Sequence, residues 1–313
     1  MSGAVTFHDS YWYCYANSTA MLLSSIEEAV SPRLVEVLTG VGLGAFVSTN
    51  GLPFFSGLQG EPDKGISRAL EILGFAAVES AFEEPSGEDA FAQLRVDLEV
   101  GPVLLGPLDM TYLAYNPNRP GFSGVDHFVL AFGQEGSRFL LHDPAGFGHV
   151  LISEADLEHA WRADGIGYRR GHYRSWTKPR RIATPTPDKI LKRALAMFRS
   201  LYAEAGTSTA STALLRDQAA IEAMADWISE GVLSKAQRGH LTNFALPLGV
   251  KRALDYADFF GTTYPRLALM KRDQAALFGR CLTSVMRDDS KNAIAELRCL
   301  AALETKIARE ITK

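Results

Sequence analysis

The pattern of apolar residues changes kind at one place, and that change limits what this chain can fold into. Before the stretch TKPRRIATPTP (residues 177–187), short apolar runs alternate with polar positions and are bounded by turn residues, the period-two mark of strands, with helical segments between them. After it no alternation survives, and apolar positions recur every three or four residues, as in Ala275, Leu277, Phe278, Leu282, Val285 and Met286. The spacing predicts a helix from Thr186-Pro187-Asp188 to about Ala205, then helices over Thr207–Glu230, Lys235–Asn243, Val250–Phe260, Tyr264–Met286 and Asp289–Ile311. A stretch rich in proline and threonine at the changeover predicts a domain boundary. The expected architecture is therefore an α+β domain over residues 1–178, a linker over 179–187 and an all-α domain over 188–313.

Within the first part, helices come early and strands late. A cysteine-bearing helix begins near Cys14, PRLVEVLTG follows, and residues 41–63 form a loop rich in glycine and proline with a short strand at Ala45–Ser48. KGISRALEILG is helical, FAAVES a strand, and SGEDAFAQLRVDLEVG a helix capped by Ser86. GPVLLGPLD, DHFVLAFGQ, SRFLLHDPAG, GHVLIS and GYRRGHYRSW read as strands, with the helix SEADLEHAW before the last.

Composition bounds the function classes. The 313 residues are 47% hydrophobic and 22% charged, with a net charge of −4, so neither nucleic acid nor an anionic membrane is an expected partner. No apolar run approaches the ~18 residues that span a bilayer. MSGAVTFHDS lacks the features of a secretory signal, which leads to the expectation of a cytoplasmic protein. The three cysteines (Cys14, Cys281, Cys299) show no metal-ligand spacing; Cys281 and Cys299 read as core thiols. His142 and His149 lie close together, but no cysteine or carboxylate completes a metal set, so neither metal nor cofactor is expected.

The chemistry centres on YWYCYANSTAMLLSSI (residues 11–26). A thiol at a helix start feels unpaired N–H groups and the positive end of the helix dipole, which favour thiolate. Such a nucleophile needs a base, and the base an orienting group. His127 opens one strand and Asp143 ends the next. A hairpin turning at Gln134–Ser137 sets His127 opposite about position 144, beside Asp143. His142 is a rival base that strand alternation points away from Asp143, and Asp126 a rival orienting acid. Taken singly, Cys14 also fits a buried core thiol, His127 a satisfied half-buried histidine and Asp143 an Asp-Pro turn residue. Together they make a candidate Cys–His–Asp triad.

With C-x-x-N-S on a first helix, D-H-F-V at a strand start and H-D-P after the next strand, the chain resembles the papain-like fold, especially the double-glycine peptidases. With a helical domain behind a linker, it is more specifically similar to the butirosin biosynthesis H-protein family of acyltransferases. The resemblance implies Cys14 as nucleophile, His127 as base and Asp143 as orienting residue. It departs from the papain pattern at the oxyanion-binding glutamine, six residues before the cysteine, where this chain has His8. His8 and Asn17 are the candidate oxyanion donors, with Ser10 and Tyr11 as substitutes.

What the resemblance implies is amide formation in natural-product biosynthesis. An acyl carrier protein or other thioester donor acylates Cys14, and a small-molecule amine takes the acyl group. Phosphopantetheine then enters only as part of the donor. The loops 41–60 and 114–125 are candidates to line an acceptor pocket, with Tyr11, Phe54, Phe55, Tyr112 and Tyr115 as substrate-binding candidates or else as packing. The basic residues Arg169, Arg170, Arg174, Lys178, Arg180 and Arg181 read as a solvated strand edge or as a dock for an acidic carrier. A cysteine amidase or peptidase and a non-catalytic scaffold are the alternatives. The helical half carries no catalytic constellation and is expected to cover one face of the first domain, close the pocket or form a homodimer.

Overall fold

The computed structural model describes residues 5–10, 12–57, 61–205 and 213–313. In chain order the elements are α1 (Cys14–Ser24), α2 (Pro32–Thr39), β1 (Phe46–Ser48), β2 (Pro53–Phe54), α3 (Pro62–Leu73), β3 (Phe75–Phe82), α4 (Gly87–Val100), β4 (Val103–Asp109), β5 (Asp126–Glu135), β6 (Arg138–Asp143), β7 (Phe147–Ser153), α5 (Glu154–Arg162) and β8 (His172–Arg181). They continue with α6 (Pro187–Ala205), β9 (Ala213–Arg216), α7 (Asp217–Ser229), α8 (Lys235–His240), α9 (Leu246–Phe260), α10 (Pro265–Met286) and α11 (Ser290–Thr312). The chain divides into two compact units, Met1–Val35 with Pro62–Pro185, and Glu36–Glu61 with Thr186–Lys313.

The first unit is built on a six-stranded sheet of order β3-β8-β4-β5-β6-β7, antiparallel at each pairing. Phe91 and Leu94 of α4 and Leu157 and Trp161 of α5 join Val103, Leu105, Val129, Phe139 and Leu141 of the strands in one core. The helix starts follow capping chemistry. Ser86 accepts the Asp89 N–H (3.4 Å) and Ser153 the Asp156 N–H (3.1 Å), each placing an acidic residue in the first turn. Helix α1 is buried from Tyr15 through Leu23 and lies on β5, where Ser18 Oγ donates to Phe128 O (3.0 Å) and the Tyr15 ring meets Phe128 edge-on.

The second unit is mainly helical: α10 packs on α9 and α11, and α11 on α7. Its core gathers Ile221, Met224, Leu246, Phe278, Leu297 and Leu300. The expectation of an all-α domain over 188–313 is corrected in two respects. Residues 213–216, expected to be helical, form β9, which pairs antiparallel with β1 in a sheet of order β2-β1-β9. Residues 36–61 therefore belong to this unit and not to the first. The physical reason is that strands of two to four residues carry no readable period, and their pairing joins positions about 170 apart in sequence. The expected linker is also shorter than 179–187. Strand β8 runs to Arg181, and the N–H groups of Ile182 and Ala183 both donate to Gly74 O (2.9 and 3.0 Å). Among the described residues no helix is long and apolar enough to cross a membrane.

Two buried features generate predictions. In the second unit Arg252 Nε donates to Glu36 Oε1 (2.7 Å), with Glu36 fully buried and Arg252 6% exposed. Removing one partner of such a pair leaves an uncompensated charge in the core. Glu36→Ala is expected to lower the unfolding free energy by about 3–5 kcal/mol in denaturant titration, more than the paired change Glu36→Leu with Arg252→Met. The second feature is His142 in the first unit and His240 in the second, both held down to about 4 mainly by burial, from an ordinary 6.5. Their folded pKa lies below the unfolded one, so the stability they contribute is present above pH 6.5 and is lost as pH falls toward 4. The melting temperature is expected to fall over that window, and His240→Phe to flatten the fall.

Candidate active site

The site is assembled where the start of α1 meets the ends of β5 and β6. Tyr13, the residue before the helix, has φ 68° and ψ 39°, a left-handed conformation unusual for an aromatic residue. Asn17 holds it there: its Nδ2 donates to Tyr13 O (2.9 Å) and to Ser10 O (3.2 Å). The chain thus turns sharply into α1 with Cys14 as its first residue. The oxyanion role expected of Asn17 is corrected accordingly, because its amide is spent on the backbone of the approach segment and is 1% exposed. The Cys14 backbone N–H, in the first turn of α1, is a donor of the right kind in its place.

His127 Nε2 lies 2.6 Å from Asp143 Oδ1, with His127 3% exposed and Asp143 fully buried. The His127 imidazole and the Phe128 backbone N–H lie near enough to the Cys14 thiol to favour its ionisation, each lowering its pKa. Asp143 is held on all sides: Oδ1 also accepts the Ala145 N–H (2.7 Å), and Oδ2 accepts the Tyr115 hydroxyl (2.9 Å). The strand pairing that achieves this differs by one or two residues from expectation. The hairpin turns after Glu135, which pairs with Arg138, and an irregularity between Ala131 and Gly133 brings Leu130 opposite His142.

The titration directions follow from these contacts. Burial opposes the charge on His127, but the Asp143 carboxylate outweighs it and lifts the imidazole well above 6.5. Burial also works against ionisation of Asp143, yet His127, the Ala145 N–H and the Tyr115 hydroxyl hold it below the usual carboxylate value. For Cys14 burial prevails: it raises the thiol against the lowering effects of His127 and the Phe128 N–H. Burial therefore opposes the thiolate expected from the helix terminus alone, and the neighbouring imidazole favours it.

The other candidate residues separate into those the site uses and those it does not. Tyr115 touches the triad carboxylate itself. Tyr112 is exposed and tilts over His159. Phe54 stacks on Phe46 (4.7 Å) and meets His240, and Phe55 is buried edge-on against Phe278, so packing within the second unit accounts for both. His8 is half-buried, with a pKa lowered by burial, and no hydrogen bond joins it to Cys14, His127 or Asp143 among the described residues. Tyr11 lies outside the described residues. The rival His142 is taken up by rings, stacked on Phe132 (4.2 Å) with Phe7 and His149 beside it. Asp126 does not touch the imidazole as an orienting acid; it accepts the Tyr168 hydroxyl (2.7 Å) and adds negative charge near Cys14. Sequence reasoning missed Tyr168: expected within the last strand of this half, it lies in the turn before β8, and nothing local signals its partner.

Cys281 is buried, with its thiol pushed up to about 12, whereas Cys299 is exposed and not a core thiol. The basic cluster is largely neutralised: Arg169 pairs with Asp164, Arg170 with Asp63 and Glu79, Arg174 with Glu79, Lys178 with Asp97 and Arg181 with Glu28. Those side chains are therefore engaged in ion pairs within the first unit. Among the described residues no group of three or more His, Cys, Asp and Glu is arranged to hold a metal ion.

Fold and site together define an α+β protein with a helical C-terminal region and a buried imidazole–carboxylate pair against a helix-terminal thiol. Residues 211–312 match the family model described as YobF C-terminal domain. The chain is 38% identical over 301 residues to YobF of Bacillus subtilis (strain 168), itself described as uncharacterized, covering 96% of each protein. The chain belongs to the YobF family.

Because His127 lowers the thiol pKa, His127→Gln is expected to slow alkylation of Cys14 by iodoacetamide at pH 7 by roughly tenfold for each unit of lowering lost. The rate is best followed by mass spectrometry in a Cys299→Ser background, since the exposed Cys299 also reacts. The native rate is expected to rise with pH, in keeping with the raised thiol.

Proposed function

We propose that this protein is a papain-like cysteine acyltransferase that forms an amide through an acyl-Cys14 intermediate. The observation that carries the reading is the buried His127–Asp143 pair at 2.6 Å, whose imidazole favours ionisation of the Cys14 thiol. In the first half-reaction His127 takes the thiol proton and the sulfur attacks a thioester carbonyl. The tetrahedral oxyanion forms beside the first-turn N–H groups of α1, the donor's C–S bond breaks, and His127 returns the proton to the leaving thiolate. In the second, an amine nitrogen attacks the acyl-enzyme, His127 accepts the nitrogen's proton, the C–S bond to Cys14 breaks, the amide leaves and His127 returns the proton to the Cys14 sulfur. The Asp143 carboxylate stabilises the imidazolium in both halves.

A thioester is an activated acyl group and demands less of an oxyanion site than a peptide does. That is consistent with a chain whose Asn17 amide is committed elsewhere and which has histidine at position 8. The carrier-bound donor and the amine acceptor remain substrate classes here, with phosphopantetheine a part of the donor and not a resident cofactor.

Intact-mass analysis after incubation with small acyl thioesters tests the reading. The expected result is an acyl adduct on the native protein that is absent from Cys14→Ala and is discharged by amines to give amides. Discharge to free acid alone supports the amidase alternative. No adduct, with Cys14 alkylated no faster than Cys299, leaves a scaffold.

A further inference from the structure

We infer that Tyr115 is a positioning residue for the Asp143 carboxylate, fixing the oxygen that His127 does not use. Asp143 is fully buried, so its charge must be met by donors within the fold. Two donors, His127 Nε2 and the Ala145 N–H, converge on Oδ1. On Oδ2 the Tyr115 hydroxyl is the hydrogen bond found among the described residues. The last torsion of an aspartate side chain is soft, so donors on one oxygen leave the group free to swing about it. A donor on the second oxygen pins the plane of the carboxylate, and with it the direction in which Oδ1 meets the imidazole.

The loop carrying Tyr115 is built to present it. Leu113 and Asn116 are buried on either side, Asn116 N–H donates to Leu113 O (2.9 Å), and Asn116 Oδ1 accepts the Asn118 N–H (2.9 Å). The ring lies against Phe147 at 5.6 Å. Burial and the adjacent Asp143 push the phenol well above its usual pKa, so it stays protonated and donates across the working range. A hydroxyl already committed to Asp143 is not free for a substrate, which is the role that its place in a loop suggested. The reactivity consequence rests on the reading of Cys14 as nucleophile; the positioning role itself rests on the carboxylate contacts.

Tyr115→Phe, which keeps the ring and removes one hydroxyl, is the test, in a Cys299→Ser background. The pH profile of Cys14 alkylation is expected to move to higher pH, because a less firmly oriented Asp143 stabilises the imidazolium less. The rate at pH 7 is expected to fall by about tenfold, the scale of one charge-assisted hydrogen bond. Tyr173→Phe serves as the control, since its buried hydroxyl has no hydrogen-bond partner among the described residues and lies outside these contacts. A Tyr115→Phe profile that superimposes on the parent, or moves to lower pH, overturns the role. Proton NMR of the His127 Nε2–H, recorded well below the melting temperature, separates positioning from loss of fold. A low-field signal that broadens or moves in Tyr115→Phe while the rest of the spectrum is retained supports the role, and an unchanged signal overturns it. If Cys14 of the native protein alkylates no faster than Cys299, the acyltransfer reading fails, and the NMR comparison still decides the role of Tyr115.

Discussion

An imidazole and a carboxylate, both withdrawn from water and 2.6 Å apart, set the terms for the rest of the first unit. Neither group is tolerable alone at that depth, because burial disfavours each charge separately. Each is made tolerable by the other and by donors brought from elsewhere: a backbone N–H two residues past Asp143 and a hydroxyl from a loop 28 residues earlier. The order of the sheet, the turn after Glu135 and the anchored loop around Tyr115 can all be understood as means of bringing these groups together. The thiol is the weaker partner. Burial favours its protonated form, and the imidazole beside it, with the Phe128 N–H, works the other way.

Much of this was readable in advance, and the particular residues show why. Strands β4 to β8 and helices α4 and α5 follow from local pattern and caps, because Ser86 and Ser153 act within four residues of themselves. His127 beside Asp143 followed from a hairpin, which is also a local object, and an error of a residue or two in register did not separate side chains long enough to reach across it. What could not be read is what depends on long-range closure. Asn17 looked like a donor facing a substrate, and only the left-handed turn at Tyr13 shows that the backbone claims it. Tyr115 was visible as a loop aromatic, but its hydroxyl's partner lies on a strand formed later in the chain. The cluster of basic residues looked free because most of the acids that pair with it, Asp63, Glu79, Asp97 and Glu28, are scattered over the first hundred residues.

The second unit teaches the same lesson about scale. Its long helices were evident from periodicity alone, and β1 was expected as a short strand at Ala45–Ser48, yet β2 and β9, which complete its sheet, are too short to show a period. Phe54 and Phe55 are explained once that sheet is seen: half-buried Phe54 packs between Phe46 and His240, and Phe55 is a core residue against Phe278.

The excursion of residues 36–61 has a consequence for how this protein can be dissected. The polypeptide passes between the two units at three points, near residues 35, 61 and 185, so neither is a continuous stretch of chain. Cutting at the conspicuous proline-rich segment would strip the helical fragment of the strand that β9 pairs with and leave its partner carrying an orphaned insert. The two units are therefore joined as a covalent weave, and one is not a cassette that can be removed, exchanged or inherited without the other.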